Sequence, residues 1–390
     1  MKQLFVRRLG KRMSSNRSLV KENSEKSLLE SVERGSRARW WRRRGSKTGG
    51  FWYEDRKGRR VTDEAHLERI RSLVLPPAWK HVRISPSARS PLQAVGVDKM
   101  GRLQYKYHPS FAARQQEKKF KKIERFGERL PSLRRLTNEH IGLEGFPRER
   151  VLAIIIHLIN DLYLRVGSED SVKRYRTYGA TTLRNRHLEI KPGGQLVFSF
   201  VGKHHIRHRR IIVDEELASV MRDLKALGGP KLFEYVGEDG RIHPITPRDV
   251  NEYIKVATSP EHSAKDFRTW GGTLMAAMQL AEKGKPENEK QARQNIVQAV
   301  KSVAEHLGNT PTVCRKCYVH PAVFERYAEG ITLREFRPKA QRYIRRLQPD
   351  YEPEELALLK LFRAGSNGKL GSNGDNSPKE ELSRVASARK

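Results

Sequence analysis

Leu188-Glu189-Ile190, Pro192-Gly193-Gly194 and Leu196-Val197-Phe198-Ser199-Phe200, followed by Ile211-Ile212-Val213, make up the stretch whose reading decides the fold class. Apolar and polar residues alternate on either side of a Gly-Gly pair that can take positive φ. The segment 188–200 therefore predicts a β-hairpin, with a third strand at 211–213. The flanks have a different period. Val151, Ile155, Leu158, Ile159, Leu162 and Val166 recur at helical spacing before it, and helices are expected at 215–226, 247–257, 268–283 and 291–306 after it. The pattern is α+β: a mainly α-helical domain with a three-stranded sheet set inside it.

Upstream, residues 49–112 read as a separate β-rich domain. Val82-Arg83-Ile84, Leu92-Gln93-Ala94-Val95-Gly96-Val97 and Leu103-Gln104-Tyr105-Lys106-Tyr107 are short strands, the last two joined by a turn at Asp98-Lys99-Met100-Gly101. A helix over 63–73 has to end before Pro76-Pro77. Residues 1–48 are dominated by Lys, Arg, Ser and Glu, with Arg39-Trp40-Trp41-Arg42-Arg43-Arg44 the exception, and are expected to be a disordered basic arm. Residues 113–346 make the helical domain, entered through a basic junction at about 113–146. The tail 347–390 is expected to be largely disordered.

Lys and Arg number 78 against 45 Asp and Glu, a formal net charge of +33 over 390 residues. A surface that positive calls for a polyanionic partner, because each neutralised phosphate releases a condensed counterion. Nucleic acid leads and an anionic membrane surface follows. The longest apolar cluster, 151–164, is broken by His157, Asn160 and Asp161, well short of the roughly 18–20 apolar residues of a membrane span. No signal peptide is visible, and two cysteines argue against a disulfide-stapled secreted chain. The expectation is a soluble, intracellular protein.

Local motifs for other chemistries are weak. Cys314-Arg315-Lys316-Cys317 has metal-ligand spacing, yet no second pair completes a zinc site, so no metal is expected. Gly271-Gly272 lacks the surroundings of a phosphate-binding loop. His204-His205-Ile206-Arg207-His208 reads as a basic, solvated loop. What stands out is a series of cationic and hydrogen-bonding residues ending in a tyrosine: Arg165 after a helix, Lys203 at a hairpin tip, Arg268 at a helix start, then Asn309 and Tyr318.

The segments around them carry a family resemblance. They are Leu75-Pro76-Pro77-Ala78-Trp79, Gly101-Arg102-Leu103-Gln104-Tyr105-Lys106-Tyr107-His108-Pro109, Leu164-Arg165-Val166-Gly167 and Thr181-Thr182-Leu183-Arg184-Asn185-Arg186-His187, then Phe200-Val201-Gly202-Lys203, Lys265-Asp266-Phe267-Arg268-Thr269-Trp270-Gly271-Gly272-Thr273, and Asn309-Thr310-Pro311 through to Tyr318. In this order the chain resembles the type IB DNA topoisomerases, in the poxvirus-like form found in many bacteria. The resemblance implies a C-shaped clamp on double-stranded DNA and a transient 3′-phosphotyrosyl link, with no cofactor. It implies Tyr318 as nucleophile, Lys203 as general acid, and Arg165, Arg268 and Asn309 around the scissile phosphate. Gln104, Tyr105 and Tyr107 are expected to face the major groove, and Lys265 to reach DNA near the cut. Asn309 replaces the His of the poxvirus enzymes, which favours a hydrogen-bond donor and a bacterial host; the expectation is a monomer that is cytoplasmic and nucleoid-associated. Two other readings compete. A tyrosine recombinase usually has His-x-x-Arg where this chain has Lys265-x-x-Arg268, and a non-catalytic basic DNA-binding protein leaves the ordered set unexplained.

Overall fold

The computed structural model describes residues 30–32, 34–337 and 352–366. The chain forms two compact units, residues 1–118 and 119–390.

The first unit is built on an antiparallel sheet of order β2-β1-β3-β4-β5. Its strands are β1 (Trp41–Ser46), β2 (Gly50–Glu54), β3 (Lys80–Ile84), β4 (Leu92–Val97) and β5 (Leu103–Tyr107), with helix α1 (Glu64–Ser72) between β2 and β3. Ile70 and Leu73 pack with Val82, Ile84 and Ala94, and a second cluster joins Val32, Trp40, Val95 and Val97. The β4–β5 hairpin has the expected turn: Asp98 Oδ1 accepts from the Met100 and Arg102 amides, and Gly101 takes φ +73°.

One boundary is corrected here. Residues 41–46, read as part of the disordered arm 1–48, form β1, paired with both β2 and β3. The arginines that suggested solvation are used internally. Arg43 donates to the carbonyls of Pro76 and Trp79 and lies over the Phe51 ring, and Arg44 pairs with Glu54 at 2.6 Å. Residues 1–29 of the arm lie outside the described residues.

The unit boundary falls within α2 (Pro109–Ile141). The junction at 113–146 is thus mostly one helix rather than a linker. Phe120, Ile123, Phe126, Leu130 and Leu133 recur at helical spacing and are buried, an apolar stripe hidden in sequence by the lysines and arginines between them.

The second unit centres on α3 (Arg148–Leu162), whose residues Val151, Leu152, Ala153, Ile154, Ile155 and Ile156 are all buried. After α4 (Glu169–Tyr175) comes the predicted sheet, in order β6-β7-β8: β6 (Leu188–Lys191), β7 (Gln195–Val201) and β8 (Arg207–Val213). Gly193 and Gly194 take φ +70° and +68° in its first turn. Helix α5 (Glu215–Ala226), the β9–β10 pair (Glu234–Val236, Ile242–Pro244) and α6 (Pro247–Ala257) lead to α7 (Ala264–Lys283), α8 (Glu289–Leu307), α9 (Pro311–Cys317) and α10 (Pro321–Ala328). Helix α7 starts four residues before the expected 268, so Arg268 stands inside the helix.

The tail also needs correction. Residues 353–366, placed in the disordered segment 347–390, form α11 (Pro353–Ser366). Ala357, Leu358, Leu361 and Phe362 are buried. Glu355 accepts two bonds from Arg134, at 2.6 and 2.9 Å, and one from the Trp270 indole at 3.0 Å. Residues 367–390 lie outside the described residues. Among the described residues no helix is long and apolar enough to cross a membrane.

Candidate active site

Arg165 is positioned by the segment that follows it. The Ala180 amide donates to the Arg165 carbonyl at 2.8 Å, and the Thr181 amide to that of Val166 at 2.9 Å. The approach is too close for a side chain: a Cβ on Gly179 stands 2.4 Å from the Arg165 carbonyl oxygen. The segment Gly179-Ala180-Thr181 is thus a backbone clip on Arg165 and Val166.

Arg268 is placed by α7. Asp266 accepts from the Ser263 amide at 2.8 Å and pairs with Lys122 at 2.7 Å, which starts the helix and ties it to α2. Two turns of α7 are buried, and its glycines allow close packing. A Cβ on Gly271 meets the Tyr163 ring at 1.9 Å, and one on Gly272 meets the Tyr318 carbonyl oxygen at 2.7 Å. That is the structural use of Gly271-Gly272.

The two guanidiniums converge on the ends of helices. Tyr163 caps α3 in the left-handed conformation, and Gly308 caps α8 in the same way. Carbonyls at such ends lack helical partners and carry the negative end of the helix dipole. Arg268 donates to the Tyr163 carbonyl at 2.5 Å and to the Leu307 carbonyl at 2.6 Å. Arg165 reaches the same Leu307 carbonyl at 3.4 Å and the Asn309 Oδ1 at 2.7 Å. Arg165 can only donate, so it fixes the Asn309 amide with its nitrogen turned the other way. That buried nitrogen, and Nε of Arg268, have no hydrogen-bond partner among the described residues.

Burial, then the neighbouring Arg165, pulls the Arg268 pKa down to about 10, with Tyr318 opposing through its charge and a hydrogen bond. Burial also lowers the pKa of Arg165. Tyr318 is the residue after α9; its amide donates to the Cys314 carbonyl at 2.8 Å, and its ring lies 5.3 Å from the Arg268 guanidinium carbon.

Lys203 is exposed at the tip of the β7–β8 hairpin, where His204 and His205 take φ of +65° and +58°. It lines one cleft with Arg165, Tyr178, His208, Arg210 and Arg268. The solvated-loop reading of the histidines fails at His208. Its ring stands against Phe200, between Gly202 and Gly308, where a Cβ has no room. Burial first, then Arg210, Arg165 and Arg268, pushes its pKa down to about 4. His208 was read from sequence only as part of a solvated loop, and Arg210 was not singled out. Their spacing of two on β8 is the signal that could have found them.

Lys265 is exposed, one turn before Arg268. In the first unit Tyr105 and Tyr107 are exposed on one face of β5, their rings 6.2 Å apart, with Phe111 5.4 Å beyond. Gln104 turns to the other face and donates to Asp98 Oδ2 at 2.8 Å. The structure thus brings Arg165, Arg268, Asn309 and Tyr318 together and Lys203 into their cleft, while the Gln104 amide serves its own turn. Cys314 and Cys317 are free thiols; Cys314 is buried, and burial raises its pKa to about 11. Among the described residues no three His, Cys, Asp or Glu side chains are grouped to hold a metal ion.

Comparison with known proteins identifies the family. Residues 108–344 match the model of the eukaryotic DNA topoisomerase I catalytic core, and residues 50–98 that of the bacterial DNA topoisomerase IB N-terminal domain. The chain is 31% identical over 310 residues to DNA topoisomerase 1B of Acanthamoeba polyphaga mimivirus, covering 78% of this chain and 89% of that one. It is 24% identical over 233 residues to DNA topoisomerase 1B of vaccinia virus (strain Copenhagen), covering 59% and 71%. With DNA topoisomerase 1 of Candida albicans it shares 28% identity over 184 residues, 46% of this chain and 22% of that one. With the catalytic core matched over more than half of its length and a relative matched nearly end to end, the chain belongs to the type IB DNA topoisomerases, a family of isomerases.

Proposed function

We propose that this enzyme relaxes supercoiled double-stranded DNA by cutting and resealing one strand through Tyr318. The phenolic oxygen attacks the scissile phosphorus and forms a 3′-phosphotyrosyl ester as the 5′-oxygen departs. The five-coordinate phosphorus gathers negative charge on its non-bridging oxygens, and Arg165, Arg268 and the amide nitrogen of Asn309 supply donors to them. Lys203, on its exposed hairpin tip, protonates the leaving oxygen, an effect typically on the order of 10²–10⁴-fold in rate. The ester preserves the energy of the broken bond, so the freed 5′-hydroxyl reverses the reaction without nucleotide hydrolysis.

The observation that carries this reading is the convergence of Arg165 and Arg268 on the Leu307 carbonyl, with Asn309 hydrogen-bonded to the first and Tyr318 beside the second. Donors aimed before the reaction starts need no reorganisation when charge develops. Lys265 contacts DNA near the cut, and Tyr105 and Tyr107 meet base edges in the major groove. Gln104, on the opposite face of β5, supports them by holding the adjoining turn through its bond to Asp98. The enzyme acts as a monomer, in the nucleoid of a bacterial cytoplasm.

Supercoiled plasmid of either sign, incubated with the enzyme in chelator and without ATP, tests the proposal. Stepwise relaxation is expected. Unchanged topology from a folded sample overturns it.

A further inference from the structure

A nucleophile at the end of a short helix has to be held from outside that helix. Helix α9 has seven residues and Tyr318 follows it directly, so the tyrosine inherits any fraying of the last turn. The final carbonyls of a helix lack helical N–H donors. The one nearest the tyrosine belongs to Cys317. It accepts a hydrogen bond from Lys119 Nζ at 2.6 Å, a residue 198 positions away on α2.

Lys119 is no ordinary surface lysine. Its ammonium lies 4.5 Å from the Phe120 ring centroid. Burial pulls its pKa down to about 8; the Cys317 thiol and Asp266 oppose that shift, and Lys265 and Lys122 add to it. A cation at a helix C-terminus is favoured by the dipole, and more so when partly buried.

The peptide on the far side of the tyrosine is held as well. Thr273 Oγ1 accepts from the His320 amide at 3.0 Å, and while its proton goes chiefly to the Thr269 carbonyl at 2.7 Å it also lies 3.4 Å from the Tyr318 carbonyl. The His320 ring also lies tilted against Phe120, at 4.8 Å between centroids, with its Nε2 3.2 Å from Glu124 Oε1. Helices α2 and α7 therefore grip the backbone on both sides of residue 318. On the α2 side, the hydrogen bond just before the tyrosine comes from one amine.

We infer that Lys119 is a positioning residue for the reaction, fixing the Tyr318 backbone through the Cys317 carbonyl so that the phenol is presented for attack. The inference rests on the proposed role of Tyr318. Lys119 does not touch the reacting atoms in this arrangement; it acts through the peptide it holds. A displacement of about 1 Å in a reacting group costs on the order of 10²-fold in rate.

The test compares Lys119→Met, which keeps the length and removes the donor, with Lys119→Arg, which keeps the charge. Single-turnover formation of the covalent adduct is measured on a labelled duplex, beside the non-covalent Kd and the melting temperature. For Lys119→Met the adduct-formation rate falls by roughly 30–100-fold, with Kd and Tm close to wild type, and Lys119→Arg recovers most of the rate. A wild-type rate in Lys119→Met overturns the inference. So does a Kd that rises as far as the rate falls, which makes Lys119 a DNA contact. A Tm that falls with the rate and is not recovered by Lys119→Arg also overturns it, leaving a merely structural lysine. Tyr318→Phe, run in parallel, separates the two ideas. An adduct in that variant sinks the nucleophile assignment, whereas no adduct there and a wild-type rate in Lys119→Met sinks the positioning role alone.

Discussion

The guanidinium carbon of Arg268 lies 5.3 Å from the centroid of the Tyr318 ring, while both terminal nitrogens of the same guanidinium are committed to backbone carbonyls. Arginine and tyrosine are therefore registered against each other through the main chain of three helices. Tyr318→Phe leaves this packing intact and removes only the hydroxyl. The covalent adduct, read on a denaturing gel, is expected to vanish while duplex binding stays within about twofold.

Arg268→Lys tests what the fork geometry contributes. A lysine ammonium cannot span the Tyr163 and Leu307 carbonyls in one plane and still face a phosphate. Adduct formation should slow by roughly 10²–10³-fold, the range for losing a preorganised donor. A lysine variant that cleaves at the parental rate shows that charge alone suffices.

For Lys203→Ala, the expected outcome is slow cleavage that recovers on a substrate with sulfur in place of the leaving 5′-oxygen, because a thiolate leaves without protonation. Equal impairment on both substrates moves the acid role to another group, with His208 and Arg210 next in the cleft.

The histidines give a pH dependence with a definite sign. Burial, followed by nearby arginines, depresses His187 and His208 to about 4 in the folded state, from an ordinary value of 6.5. Between these values the unfolded chain binds more protons than the folded one, so stability rises with pH. Their contribution is complete above about 6.5 and is lost as pH falls toward 4. His208→Asn should shrink the difference in Tm between pH 7 and pH 5; an unchanged difference assigns the acid sensitivity elsewhere.

Truncation should distinguish two parts of the basic N-terminal segment. Removing residues 1–29 leaves β1 in place and is expected to lower only the affinity for DNA and its salt dependence. Removing residues 1–48 takes β1 from between β2 and β3 and should unfold the sheet. Circular dichroism of the two truncations decides.

The parts of this molecule that obey a local period were legible in the sequence. The hairpin around Gly193-Gly194 and the helices at 215–226 and 247–257 stand where their patterns put them. Strand β1 was not legible, because Arg43 is satisfied by the carbonyls of Pro76 and Trp79 and Arg44 by Glu54, all outside the strand. Helix α11 is a short apolar run next to low-complexity sequence, and it folds because Leu358, Leu361 and Phe362 find the core of the second unit, where Glu355 meets Arg134 and Trp270. The site divides in the same way. Arg165, Lys203, Arg268, Asn309 and Tyr318 could be picked out by type and order. Tyr163 and Leu307 could not, since they contribute only carbonyls, and Lys119 acts across 198 residues.

Those carbonyls have a consequence for how the enzyme can vary. A guanidinium held by a carboxylate loses its anchor with one base change in a gene. One held by the peptide groups of Tyr163 and Leu307 keeps its anchor through changes of those side chains that the left-handed cap at 163 and the buried site at 307 tolerate, provided the helices still end there. Arg268 is in this sense insulated from drift in its own supports. The places where it is vulnerable are Gly308, which terminates α8, and Gly272, where an added methyl group displaces the Tyr318 carbonyl.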